Sequence, residues 1–489
     1  MPLEEPSIVD RLAEPESLLG MLQRGRGKGY LMALESPPEQ VWPLLIECII
    51  NDPRLDRQLE DRAEYYASLI MATGADLEPL ATDLRRNDVR NSNCTCCLGL
   101  ILSTVGCLAD EFSHSAAMEI LRDYVPFGRK WLGVTQVLGD LEMPGALDGI
   151  DEVLAHRISS NPDVHTEFVR AVESDWKWYC KLDEDQRKGV CLLLPVYEPW
   201  QTFCRRNARF AALFAEMGIA YDQPPAPSNK MTEAEISELS LREMFASVDE
   251  STRGCFWRFL PEKVSPDDED FLLQHVASKD WCRRVLAFRG LGQLSTPRAF
   301  EAIKSYIEVT TDRDQGARRY AYIAIEAMPP ELTLETARVW FQSGRHHLHI
   351  PAGGILARYA TLDDVPMLIE ELRTPETVRC EDFRLSDALE ALALFGGLGP
   401  IPELETVFHE VAHCRQRYRA AMAMDVTAPV HFQREYAFEC LWDCHYETRT
   451  LGCETVSLTE PGALERLKEL AADEDDDVRE AAQARIEDF

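Results

Sequence analysis

The chain has 489 residues, 45% of them hydrophobic, which supplies a sizeable packed core and excludes an overall disordered polymer. Lys+Arg total 51 against 84 Asp+Glu, a formal net charge of −33 that repels phosphate backbones and anionic headgroups, so direct nucleic-acid or membrane binding is not expected. Ten lysines against 41 arginines point to a GC-rich, bacterial coding bias, and 15 dispersed cysteines point to reduced thiols in a cytoplasmic protein instead of a disulfide scaffold.

The first ten residues, Met1 to Asp10, are acidic and lack the basic-then-apolar order of a signal peptide. The best apolar stretch, Cys97 to Ala109, is too short to span a bilayer. Cys94, Cys96 and Cys97, with Cys107 and His114 downstream, include zinc-ligand types, but Cys97 runs on into Leu98, Leu100 and Ile101 and reads as core. Trp176 to Met217 is a helical, aromatic-rich region. Its Trp176, Trp178, Tyr179 and Trp200 are the candidate partner anchors, since aromatic residues dominate interface hot spots, although the same residue types also fill cores. Pro224, Pro225 and Pro227 stop any helix, so 223–230 is read as a linker or exposed loop between an N-terminal divergent helical region, 1–222, and a C-terminal repeat region, 231–489.

From about Asp268 onward, amphipathic segments of roughly 10–14 residues follow one another with short turns between them, their apolar residues at helical spacing. The segments pair with a shared grammar. Asp280 opens an Arg- and Ala-containing helix through Arg283, Arg284 and Ala287, and Ser295-Thr296-Pro297 then opens a second one. Arg318, Arg319 and Ala321 repeat the first half, and Met328-Pro329-Pro330 repeats the break. Asp363-Asp364-Val365-Pro366, Gly399-Pro400-Ile401-Pro402 and Asp475-Asp476-Asp477-Val478-Arg479 continue it. Asn87-Asp88-Val89-Arg90 and Pro144-Gly145-Ala146-Leu147 carry fainter copies. This grammar resembles the HEAT-repeat family, including its short, phycobilisome-lyase-like variant. The resemblance implies an all-α fold, a right-handed α-α superhelix in one or two segments, with repeats of about 40 residues. Each hairpin buries its apolar stripe only by leaning on its neighbours.

His409-Glu410-Val411-Ala412-His413 has the HExxH spelling of zinc hydrolases, in which two histidines one helical turn apart share a metal and the Glu polarises water. The competing reading takes Leu404, Val407, Phe408 and Val411 as a repeat stripe and His413-Cys414 as the following turn. Cys440, Cys444 and His445, with Cys453, form a second thiol-rich group. A metal or redox role competes there with plain burial in a helix over Phe432 to Asp443. His346, His347 and His349 read as a surface loop cluster. No phosphate-binding glycine loop, dinucleotide fingerprint or nucleophile elbow is present.

The expected function is a non-enzymatic scaffold, adaptor or regulatory subunit whose acidic surface grips a protein of basic or mixed charge, with no catalytic residues, metal or cofactor. Two alternatives stand beside it. One is a metal-dependent hydrolase built on His409, Glu410 and His413; the other is a repeat-family enzyme of the lyase type.

Overall fold

A computed structural model describes residues 12–57, 60, 62–87, 99–141, 143–179, 193–194, 197–217, 233–249, 252–309, 315–373 and 383–487. Every regular element among the described residues is helical, and the fold is all-α, helix packed on helix. The chain divides into two compact units. The first comprises 1–228, 412–415 and 436–489; the second comprises 229–411 and 416–435. The first unit thus takes in two segments that the sequence reading groups with 231–489. The proline-rich segment 223–230 lies outside the described residues, as do Cys94, Cys96 and Cys97.

In the second unit the sequence grammar becomes a regular stack. Trp281–Leu294 packs on Gln315–Glu326, which packs on His346–Tyr359, which packs on Phe383–Leu392. A second helix intervenes between each pair of these first helices: Pro297–Val309, Pro330–Gln342 and Val365–Leu372. From Trp281 onward the described first-type helices begin at Trp281, Gln315, His346, Phe383, Cys414, Tyr446 and Asp476, so one repeat there is 30 to 37 residues long, shorter than the expected 40. Stripe residues such as Val285, Leu286, Ala321, Ile325, Ile355 and Leu389 are fully buried between neighbours.

The Asp and Arg of the grammar turn out to have separate jobs. The Asp caps the helix start: Asp280 accepts the Cys282 N–H at 2.9 Å, and Asp475 accepts those of Asp477 and Val478 at 3.0 and 3.1 Å. The Arg, six residues after the start of the turn, reaches back to loop carbonyls that no helix bond satisfies. Arg284 donates to Ser278 O at 2.5 Å, Arg449 to Asp443 O at 3.3 Å and Arg479 to Asp473 O at 2.8 Å. A second set of arginines caps the end of the preceding repeat's helix, where carbonyls and the dipole favour a cation. Arg157 donates to Val125 O, just past the helix Ser115–Tyr124, Arg358 to Glu326 O at 3.2 Å and Arg485 to Val456 O at 2.7 Å. A forked, permanently charged donor suits both tasks better than a lysine does, which gives the Arg-rich composition a structural use.

The first unit holds the less regular helices. Its aromatic centre is Phe168, ringed by Trp131, Trp200, Phe210 and Phe214 with centroids 5.7–6.4 Å away. Residues 436–489 of the same unit form Ala437–Cys440, Tyr446–Thr455, Ala463–Leu470 and Asp476–Glu487. Ala437–Cys440 lies against Gly27–Glu35 near the start of the chain.

Candidate functional site

The sequence candidates separate once placed on these elements. Pro402–Glu410 carries His409 and Glu410 in its last turn and stops there. Val411 is extended, and His413 lies just before the helix Cys414–Thr427. The four-residue spacing of the HExxH motif therefore does not run along one helix, and its shared-metal geometry is not formed. The repeat requires a turn at this point, with Val411 and Ala412 buried in it. The helix expected over Phe432 to Asp443 is broken at Tyr436 into Pro429–Glu435 and Ala437–Cys440, so Cys440 and Cys444 do not share a helix face. Cys440, Cys444, His445 and Cys453 are all buried. The Cys444 N–H donates to Gly25 O at 3.0 Å, and His445 stacks on Tyr446. His346, His347 and His349 open the helix His346–Tyr359 and are not a loop. His349 is buried against Phe341, and burial first, then Arg384 and His346, push its imidazole down to about 3. Trp200 is wholly core, Trp176 packs partly against that core, and Trp178 is 44% exposed; the Tyr179 side chain lies outside the described ones.

The structure instead gathers charge in the interior of the first unit. Arg62 is fully buried and donates to Gln23 O, to the Glu60 carboxylate and to Ala412 O, the last at 2.9 Å. Glu60 is buried as well. Its Oε1 accepts the backbone N–H groups of Leu55 and Asp56 at 2.8 and 3.0 Å, and its Oε2 accepts that of Cys414 at 3.4 Å. Burial pushes the Glu60 carboxyl up, but Arg62 and His413 outweigh it and hold the group below the ordinary carboxylate range. Arg26, also fully buried, pairs with Glu16 at 3.1 Å and Glu439 at 3.2 Å. Burial dominates at Glu439 and raises its carboxyl above the usual range despite Arg26. Arg449 completes the set, reaching Glu64 at 3.3 Å and Asp473 at 3.4 Å. These bonds join residues near the start of the chain to residues past 412. A Cβ on Gly27 would stand 1.7 Å from Glu439 O, so only glycine allows that approach. Among the described residues, one group brings three potential metal-ligating atoms within 4.8 Å of one another: Glu60, His413 and Cys414, all buried.

The second unit arranges charge by helix type. Its first helices, Trp281–Leu294, Gln315–Glu326, His346–Tyr359, Phe383–Leu392 and 416–427, carry nine arginines and four acids. Its second helices run Glu269–His275, Pro297–Val309, Pro330–Gln342, Leu362–Asp364 with Val365–Leu372, Pro402–Glu410 and Pro429–Glu435. They carry four cations and fourteen acids. Side chains tie each second helix to the next. Arg298 bonds Asp270 at 2.6 Å, Trp340 bonds Glu308 at 3.1 Å, Arg338 bonds Asp364 at 2.7 Å, Arg373 bonds Glu403 at 2.7 Å and His431 bonds Glu405 at 2.8 Å. Large apolar side chains stand in the open along the same row: Val309 (79% exposed), Val339 (61%), Leu362 (65%) and Val430 (77%). Several arginines of the basic row are engaged by the protein itself. Arg284 and Arg358 hold carbonyls, Arg289 lies over Trp257, Arg384 pairs with Glu371 and Arg417 is fully buried. The acidity is legible in the sequence; its segregation depends on which helix each residue joins.

No helix among the described residues is long and apolar enough to cross a membrane. No family model matches the chain, and no curated protein does. Among solved structures, one that is similar is described as the crystal structure of an engineered protein. It is 15% identical, covers 99% of this chain and 98% of that one, and has a TM-score of 0.22. The all-α assignment rests on the helices of this chain themselves.

Proposed function

We propose that the protein is a non-enzymatic, HEAT-type scaffold, and that the row of second helices in its second unit grips a protein segment that is basic and amphipathic. The observation that carries this reading is the coincidence, on one row of helices, of fourteen acids against four cations with four exposed aliphatic side chains, Val309, Val339, Leu362 and Val430. Single exposed aliphatic residues are ordinary on a protein surface; one on each of four of the six second helices, set among carboxylates, suits a ligand with alternating apolar and cationic residues. Acidic surroundings steer such a ligand and fix its register, while the aliphatic contacts hold it.

The test uses the full chain and the partner it retains from its native host. Binding is expected to weaken steeply as salt rises. The triple variant Val339→Asp, Leu362→Asp, Val430→Asp is expected to lose the partner, while Arg319→Ala on a first helix retains it. A partner held equally well by the triple variant would overturn the assignment to this row.

A further inference from the structure

We propose that Glu60, His413 and Cys414 form a zinc site inside the first unit. Two stretches of chain 354 positions apart meet here, through the bond from the Cys414 N–H to Glu60 Oε2. They present a carboxylate oxygen, an imidazole nitrogen and a thiol sulfur within 4.8 Å of one another. Mixed N, S and O donors are the set zinc takes, whereas magnesium and calcium require oxygen throughout. All three residues are buried, so no bulk water competes for their ligand atoms.

The surroundings supply the outer support that a metal ligand needs. The backbone N–H groups of Leu55 and Asp56 fix Glu60 Oε1, and Arg62, anchored to Gln23 O and Ala412 O, bonds Oε2, the oxygen that also accepts the long Cys414 N–H bond that zinc would replace. Cys414 is the first residue of the helix Cys414–Thr427.

Binding releases one proton and leaves the site with one more positive charge than before. Zinc binds the Cys414 thiolate, the thiol proton leaves to solvent, and the Glu60 carboxylate remains paired with Arg62. His413 Nδ1 accepts the Arg415 N–H at 3.2 Å. Ligation gives up that bond, either directly at Nδ1 or by moving the ring proton from Nε2 to Nδ1. A tetrahedral ion with bonds of about 2.0–2.3 Å requires the three ligand atoms to close further on one another. Three protein ligands leave a fourth position for one water. The role inferred is structural: the ion pins the turn at 412–414 to the segment around Glu60. This inference concerns the first unit and does not depend on the surface proposed for the second.

The experiment is a cobalt(II) titration of the chelator-treated full chain, followed by its absorption spectrum. The expected result is a near-ultraviolet thiolate-to-cobalt band that saturates at one ion per chain and is displaced by zinc. Cys414→Ser should abolish the band. Glu60→Gln should keep the band and weaken binding about tenfold or more. Cys440→Ser, whose thiol is buried in the same unit outside the group, should leave band and affinity unchanged. Wild-type protein with no such band at stoichiometric cobalt would overturn the proposal, without any variant having to fold. A band that survives in a folded Cys414→Ser protein would overturn it equally.

Discussion

In the first unit Arg26, Arg62 and Arg449 lie in the interior, each holding two or more partners drawn from distant parts of the chain. In the second unit the corresponding ties, Arg338 to Asp364, Arg373 to Glu403 and His431 to Glu405, run between consecutive second helices, with at least one partner near the surface. The contrast follows from what each region must join. Consecutive repeats meet through matched apolar stripes, so their polar links are secondary. Segments that meet out of sequence order have no such regular stripe, and specific charged and hydrogen-bonded partners define their register instead. Buried ions are costly to desolvate and strongly destabilising when left unpaired, whereas exposed pairs contribute little.

The largest expected effect breaks the buried side of this comparison. Arg62→Met strands the Glu60 carboxylate in the interior and frees the Gln23 and Ala412 carbonyls; a loss of about 3–5 kcal/mol is expected by urea unfolding, confined to the first unit. A loss below about 1 kcal/mol would mean that the charges are bystanders to apolar packing.

The next effect lies in the second unit and sharpens the comparison through pH. Glu326 is pressed by Gly354 of the neighbouring helix, where a Cβ would stand 2.8–3.0 Å from its carboxyl group. Burial raises this carboxyl from 4.5 to about 7, against the partial relief that Arg358 gives. Between those values the unfolded chain has lost the proton and the folded chain keeps it. The contribution of Glu326 therefore falls as pH rises from about 4.5 to 7, by roughly 3 kcal/mol, while buried His349 acts in the opposite sense up to about 6.5. Glu326→Gln should remove that slope and raise the unfolding midpoint at pH 8 but not at pH 4. An unchanged slope would place the pH dependence elsewhere.

The smallest effect is at the surface. Arg373→Ala removes an exposed guanidinium from Glu370 and Glu403 and should leave the unfolding midpoint unchanged within error. A marked drop would show that the ladder between second helices is structural and not merely a lining.

Much of the helical architecture could be read from the residues. The stripe Leu404, Val407, Phe408 with a turn at His413 and a new helix after it is found as expected, because amphipathic spacing and turn chemistry are local. The same local reading shows why HExxH misleads: its letters straddle a helix end. The helical pattern over Phe432 to Asp443 runs past the true helix end, since nothing in that stretch advertises the break at Tyr436. What the residues conceal is pairing at a distance. Neither Glu60 nor Arg62 belongs to the repeat grammar, and no pattern in one sequence links position 60 to 414 or Arg26 to Glu439. Trp178 and Trp200 make the point for aromatics: alike in composition, one is open and the other sealed, a difference set by tertiary packing.

The first unit is discontinuous, and this orders events during synthesis. A ribosome delivers Arg26, Arg62 and Glu64 long before it delivers Ala412, Glu439 and Asp473. Through that interval the early helices hold cations meant for an interior that does not yet exist, while the repeats of the second unit, whose neighbours arrive in turn, are free to stack as they emerge.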